Sequence, residues 1–324
     1  MTEGVVEVSC NLCGSNYTDL MYVIGGVRVV QCRVCDLVYL NPRAEEAVAA
    51  RNRTRDLVAH FAPLARRQRV VFERRIRQIL KVLGRPGRLL DVGCAAGGFM
   101  EVAREQGWSA AGVDVNGPAT AHAREALGLD VVTGTLADLP GACGAFDAVT
   151  LWDVAEHVPD PKGLIAQARE RIAEGGVIAL SVPNVASLAA WMGRERWPMF
   201  GDEHLTYFTP ETIRKMVKFA GFEVLRVETQ GLGRHFLSSW RGPSRMAERI
   251  EGAYAGSSHR PLVLLAEGVV NAALDLIRAG QVISVYAQKR GRSRDVSPSL
   301  SPRPSSSPRL RRGRRRRTLW DMDA

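Results

Sequence analysis

Hydrophobic positions along this chain switch between two periods. Over 66–83 apolar residues recur at helical spacing, with Val70, Val71, Ile76, Ile79, Leu80 and Leu83 on one face, which predicts an amphipathic helix. From residue 85 onward, short apolar runs alternate with helical stretches. The runs 88–92, 110–115, 131–133, 148–152, 177–182, 223–228 and 282–287 predict strands. Helices fit between the first five: one over 97–106 that stops at Gly107, one from near Pro118 and one from near Pro161. A fourth helix starts with Thr209 as N-cap and Pro210 at its first position, and stops at Gly221. Strand–helix alternation predicts an α/β fold: a doubly wound parallel sheet with helices on both faces.

Ahead of this region the pattern differs. Stretches 20–24 and 27–31 predict two short strands joined by Gly25-Gly26, a β-hairpin. The hairpin lies between Cys10-x2-Cys13 and Cys32-x2-Cys35, pairs separated by 18 residues. This is the spacing of a four-thiolate zinc site: two knuckles supply a closed tetrahedral shell with no open position for chemistry. Gly14 follows Cys13, where a tight knuckle needs it. Cys10, Cys13, Cys32 and Cys35 are therefore the expected ligands of a structural zinc. Cys94 and Cys143 read as small core residues.

These patterns divide the chain into a zinc-ribbon-like module at 1–43, a helical linker at 44–84, an α/β domain at 85–290 and a tail at 291–324. About fifty residues separate the last two predicted strands, too many for a simple hairpin connection. They predict a helical insert at about 231–280, with Glu267, Asn271, Asp275 and Arg278 on one polar face. It reads as a cap, a homodimer contact or an added core helix.

Charge sharpens the picture. The net charge is +10, but the tail holds ten arginines against three aspartates and accounts for +7 of it. Rich in Ser, Pro and Arg, the tail cannot bury enough apolar surface to fold and is expected to be disordered. The module at 1–43 sets Arg28, Arg33 and Arg43 against Glu3, Glu7, Asp19 and Asp36. It offers no basic face for phosphates, so a nucleic-acid partner is not expected. The longest apolar stretch, 262–279, carries four polar residues, which argues against a membrane span. The N-terminus lacks a signal-peptide pattern, so the expected location is cytoplasmic, where thiols stay reduced.

The first strand of the α/β domain runs through Asp91 into Gly93-Cys94-Ala95-Ala96-Gly97-Gly98 and then a helix. Glycines there let a ligand approach the backbone at the carboxyl end of the strand, where open α/β sheets bind ligands. Asp114, ending the second strand, is placed to accept ribose hydroxyls. These features alone suit NAD and S-adenosylmethionine (SAM) equally.

Four stretches together resemble class I SAM-dependent methyltransferases. Asp91, Gly93 and Gly97 match their first motif, with Ala95 at the middle glycine position. Residues 112–116, with Asp114 and Val115, resemble the ribose-binding segment. Residues 133–140, with Leu136 and Asp138, resemble the adenine-side loop. Residues 146–161, with Trp152, resemble the fourth strand and its following loop, the longest match of the four. The resemblance covers 83–289. It implies a Rossmann-like sheet of seven strands whose last two form a hairpin. It also implies SAM as cosubstrate and a cofactor site made of Asp91, Gly93, Ala95, Gly97, Asp114, Val115, Leu136, Asp138 and Trp152.

Methyl transfer to a hydroxyl or acidic carbon gains from a general base. Glu156-His157 and Glu203-His204 lie on loops leaving the ligand-binding edge, and His204 or His157 is the preferred base. Trp191, Trp197, Phe200, Tyr207 and Phe208 would wall the site from water. Asp153-x-x-Glu156-His157 also resembles the metal patch of ubiquinone-pathway O-methyltransferases. Such trios are more often solvated or hydrogen-bonded, and magnesium is not expected. The Glu203-His204 loop and the zinc module together resemble sugar methyltransferases acting on nucleotide-linked sugars, although their long C-terminal domain is absent. The expected function is methylation, at O or C, of a small polar acceptor such as a nucleotide-linked sugar. The alternatives are an RNA methyltransferase and a non-catalytic module binding SAM or a nucleotide.

Overall fold

The computed structural model describes residues 4–61, 65–139, 145–201, 203–231 and 272–290, with the side chains of 65–67 left out. The expectations for Cys143, Glu267, Asn271 and the 291–324 tail lie outside these residues. Among the described residues no helix is long and apolar enough to cross a membrane.

The N-terminal hairpin pairs β1 (Thr18–Ile24) with β2 (Val27–Cys32), followed by β3 (Val38–Leu40). Three helices follow: α1 (Glu45–Thr54), α2 (Leu57–Phe61) and α3 (Ala65–Leu83). The α/β region then runs β4 (Arg88–Val92), α4 (Gly98–Glu105), β5 (Ser109–Asp114), α5 (Gly117–Glu125), β6 (Asp130–Thr133), β7 (Phe146–Trp152), α6 (Pro161–Arg171) and β8 (Ile172–Pro183). It ends with α7 (Leu188–Gly193), β9 (Thr206–Tyr207), α8 (Pro210–Phe219), β10 (Phe222–Gln230) and β11 (Val282–Lys289).

The main sheet has the order β10-β11-β8-β7-β4-β5-β6. All pairs are parallel except those of β11, which runs antiparallel to β8 and to β10. The seven strands and the terminal hairpin are those the sequence predicts. Alternation along the strands fills both faces. Leu89, Ala148, Ala179 and Tyr286 pack with Ile76 and Ile79 of α3 and Phe99 and Val102 of α4. Leu90, Val149, Ile178 and Val285 pack with Ile165 of α6 and Ile213 and Met216 of α8.

One expectation about apolar surfaces needs correction. Val70 and Val71 are exposed, at 63% and 42%, so the buried face of α3 begins at Phe72 and continues through Ile76 and Ile79. Arg75 also lies on that face, buried. In the insert, Asp275 accepts the Thr229 main-chain N–H at 2.6 Å.

The second sheet has the order β1-β2-β3-β9, so the Cys-bearing hairpin takes a strand from the segment after β8. Cys10, Leu12, Cys32, Leu37 and Tyr39 share one continuous core with Leu180, Val182 and Phe208. Arg43, only 3% exposed, fastens the junction. It donates to the Pro159 carbonyl at 2.7 Å, to Asn11 Oδ1 at 3.1 Å and to Glu45 at 2.8 Å. Asn11 donates to the same carbonyl at 2.8 Å.

A buried charged donor that satisfies a carbonyl contributes roughly 2 kcal/mol. Arg43→Met is expected to lower the unfolding free energy by about that amount, read from the urea midpoint at unchanged m-value. An unchanged midpoint would mean that the junction does not depend on Arg43.

Candidate functional site

The turn after β4 is built from left-handed residues. Gly93, Ala95 and Gly97 have φ of 75°, 47° and 86°. A Cβ at Gly93 would collide with Val154, and one at Gly97 with Leu129, so neither glycine can be replaced without movement. Ala95 adopts the same region with a Cβ, at a conformational cost of about 1 kcal/mol. What holds it there is Asp114, whose Oδ2 accepts the Ala95 N–H at 2.8 Å while Oδ1 accepts the Asn116 N–H at 2.8 Å. One carboxylate thus ties the turn to the end of β5. Burial raises its pKa, although both amide bonds oppose the shift.

Asp91 is buried beneath the turn and accepts a 2.6 Å bond from Thr150 Oγ1. Burial pushes its pKa up to about 7, while Thr150 and Arg75 act to lower it. Val115 is exposed beyond Asp114, and Leu136 is buried at the end of the next loop. Asp138 takes both the N–H and the hydroxyl of Thr135, so its carboxylate closes its own turn. Trp152, ending β7, lies beneath the Arg75 guanidinium at 4.3 Å and edge-on to Phe99. Its buried Nε1–H has no partner among the described residues.

Arg75 was not anticipated. It donates to Ser181 at 2.9 Å and stands 3.8 Å from Asp153. The available signal was a cation on the apolar stripe of α3, between Phe72 and Ile79. The loop from 153 to 160 begins with Asp153 at φ 57°. Ser181 donates to the carboxylate of that residue at 2.8 Å.

At the other edge the two predicted Glu-His pairs meet. Leu205 and Thr206 donate their main-chain N–H groups to the Glu156 carbonyl at 2.7 and 3.2 Å, and the rings of His157 and His204 lie 4.7 Å apart. His157 Nδ1 is 2.8 Å from the Glu203 carbonyl, and His204 Nδ1 is 2.8 Å from that of Met199. A carbonyl only accepts, so each Nδ1 carries the proton and each Nε2 is left with a lone pair. Burial lowers both pKa values, that of His204 to about 4, where His157 adds to the effect. Glu156 is 1% exposed, and neither carboxyl oxygen has a hydrogen-bond partner among the described residues. Burial raises its pKa well above the usual range, with Asp153 adding to the shift. Its carboxyl lies within 4.8 Å of ring nitrogens of both histidines.

Glu203 does not join that cluster. Its carboxylate turns to Arg55 at 3.1 Å and Arg51 at 3.7 Å, and only its carbonyl faces His157. Trp197, Phe200 and Tyr207 stack edge-to-face at 5.0 to 5.1 Å beside His204, with Tyr22 of β1 against Phe200. Phe208 is buried in the neighbouring core, and Trp191, 41% exposed, stands outside the wall.

The four N-terminal cysteines converge. Cys10 and Cys35 sulfurs are 3.4 Å apart, Cys13 and Cys32 sulfurs 3.5 Å, and all four lie within 4.8 Å of one another. These separations are far beyond a disulfide bond and close to the edge of a tetrahedron with zinc–sulfur bonds of about 2.3 Å. Both knuckles turn through a left-handed residue after the second cysteine: Gly14 at φ 76° and Asp36 at φ 67°.

Sheet order, glycine turn and strand-end acid are those of Rossmann-like enzymes that hold a ribose-bearing cofactor. Within that class, residues 64–227 match the family described as "Methyltransferase domain". The chain belongs to this family and is a SAM-dependent methyltransferase. It is 26% identical over 190 residues to a ubiquinone biosynthesis O-methyltransferase of Xanthomonas campestris pv. campestris, covering 54% of this chain and 77% of that one. To the protein of the same name from Cereibacter sphaeroides it is 33% identical over 148 residues, covering 42% and 60%. Among solved structures it is similar to a SAM-dependent methyltransferase from Archaeoglobus fulgidus, with TM-score 0.48, 20% identity and coverage of 72% and 100%.

Asp91 makes stability depend on pH. Folded, it keeps its proton to about pH 7; unfolded, it releases it near 3.8. The folded chain binds more protons across that window, so this group's contribution to stability falls as pH rises from about 4 to 7. Asp91→Asn removes that fall. Urea unfolding at about pH 5 and pH 8 is expected to show the variant gaining on the wild type at the higher pH; an equal difference at both would place the Asp91 pKa elsewhere.

Proposed function

We propose that this methyltransferase acts on a small polar acceptor whose proton is taken by the His157–His204 pair. The reading is carried by one observation: two half-buried imidazoles with Nδ1 committed to carbonyls, and so with Nε2 lone pairs available, beside a buried carboxyl that has no partner among the described residues. His204 Nε2 is the favoured base. Its low pKa makes it a weak base; the proton it takes is stabilised by the Glu203 and Asp153 carboxylates, which act to raise that pKa. The aromatic wall of Trp197, Phe200 and Tyr207 keeps water away.

For SAM, the residues at the glycine turn fit. Asp91 is a buried carboxyl whose charge needs a cation, and the amino group of a methionine moiety is one. Arg75, over Trp152, suits the carboxylate of that moiety. Asp114 has lone pairs left for ribose hydroxyls after its two amide bonds. Val115, Leu136 and Trp152 supply apolar surface for adenine, and Asp138 contributes by fixing the loop. When bound, SAM supplies a methyl group on a sulfonium with a good leaving group, so the protein mainly positions and deprotonates the acceptor.

Cys10, Cys13, Cys32 and Cys35 hold a structural zinc in this reading, since four converging sulfurs leave no position for substrate. A hydroxyl acceptor agrees with the ubiquinone-pathway names of the sequence relatives. A nucleotide-linked sugar is the acceptor we favour.

Purified protein is expected to carry a single zinc, lost in Cys13→Ser; a folded, zinc-free wild type would refute the metal assignment. A radiolabelled-methyl screen against nucleotide sugars, phenols and RNA identifies the acceptor. With that acceptor, His204→Ala is expected to lower kcat about 100-fold while S-adenosylhomocysteine binds as before. A base must be unprotonated, so wild-type turnover should persist down to roughly pH 5 if His204 titrates at about 4. An acid limb centred near 6.5 would exclude His204 in this environment.

A further inference from the structure

We infer that the acceptor carries a phosphate-type anion, and that Arg51 and Arg55 receive it at the position where the Glu203 carboxylate now stands. The inference rests on the proposed acceptor site and says what holds the far end of the acceptor.

Arg51 lies in the last turn of α1, and Arg55 caps that helix four residues later, so both project from one face. Their guanidinium groups approach different oxygens of Glu203: Arg51 stands 3.7 Å from Oε1, and Arg55 3.1 Å from Oε2. Two guanidinium groups facing two oxygens of one anion is also how phosphates are recognised. All three side chains are 38–39% exposed, so a ligand from solvent can reach them. An ion pair this exposed contributes little to stability, so exchanging Glu203 for a ligand anion costs little.

The arginines sit on a fixed platform between the two halves of the site. Asn116, fully buried and two residues after Asp114, donates from Nδ2 to the carbonyls of Asn52 and Arg55, both at 2.8 Å. The end of α1 is thereby tied to the segment that follows the cofactor-side acid. On the other side, the Glu203 carbonyl accepts the Nδ1–H of His157. An anion at Arg51 and Arg55 is therefore separated from His157 by the length of the Glu203 side chain and one hydrogen bond. The histidines are neutral near pH 7 by the burial argument above, which leaves the arginines to provide the cationic contact. A polyanion carries more charge than the Glu203 carboxylate and outcompetes it; a neutral acceptor has no such advantage.

Calorimetry on the full chain, first saturated with S-adenosylhomocysteine, tests this without knowledge of the acceptor. The probes are inorganic pyrophosphate and UDP. At least one is expected to bind, and the Arg51→Ala/Arg55→Ala double variant should weaken it about ten-fold or more. Glu203→Gln, which removes the competing carboxylate, should tighten it several-fold. UDP binding well above pyrophosphate points to a nucleotide-linked acceptor; equal binding points to the phosphate alone. No binding of either probe, or affinities that both variants leave unchanged, overturns the inference. S-adenosylhomocysteine binding is the control: its loss in the wild type would count against the proposed cofactor site, not against the arginine pair.

Discussion

The placing of the paired histidines depends on one main-chain carbonyl. Glu156 O receives the N–H groups of Leu205 and Thr206, and those two hydrogen bonds bring the loop after β7 against β9, the strand that begins two residues after the second histidine. That strand, β9, has only two residues and could not persist alone. It is held because β3 pairs with it and Leu40 N–H donates to the Leu205 carbonyl. Arg43 and Asn11 then clamp Pro159 at the far end of the same loop. The Cys-bearing sheet is therefore a brace on the paired histidines, not an independent appendage. Sulfurs, junction and histidines form one connected structure.

Burial sets the electrostatics at both ends. Around the glycine turn it raises the pKa of Asp91 and Asp114, and around the histidines it raises Glu156 and lowers His157 and His204. In each case desolvation is the largest cause; hydrogen bonds oppose it, while a neighbouring charge adds to it at Asp91, Glu156 and His204. Desolvation therefore favours the uncharged form of each group in the histidine cluster, with imidazole nitrogens and a carboxyl side by side. Such groups are costly to fold around and useful for moving a proton. The cost at the turn is similar in kind: Ala95 sits where a glycine would be relaxed, held by the carboxylate that ties the turn to β5.

Much of this was legible in the sequence, and the exceptions have physical reasons. Cysteine spacing, strand runs and glycine stops gave the knuckles, the sheet and its helices, because each is a local signal. The pairing of β3 with β9 was not legible. Its strands have three and two residues, below the length at which alternation can be read, and their partners are far apart in sequence. Arg75 was missed because a buried guanidinium on an apolar helix face is read as an interruption of the stripe. Glu203 and His204 are adjacent in sequence, yet in the turn before β9 their side chains part: Glu203 faces arginines and His204 faces His157. Asp138 turned back onto Thr135, as short acidic side chains often do in loops.

Amide hydrogen exchange tests the bracing of the histidines by the Cys-bearing sheet most directly. In Cys13→Ser, the N–H groups of Leu205 and Thr206 are expected to lose protection, while those of Leu90 and Val113 in the central strands keep theirs. Unchanged protection at Leu205 and Thr206, with the thiol cluster broken, would contradict the account.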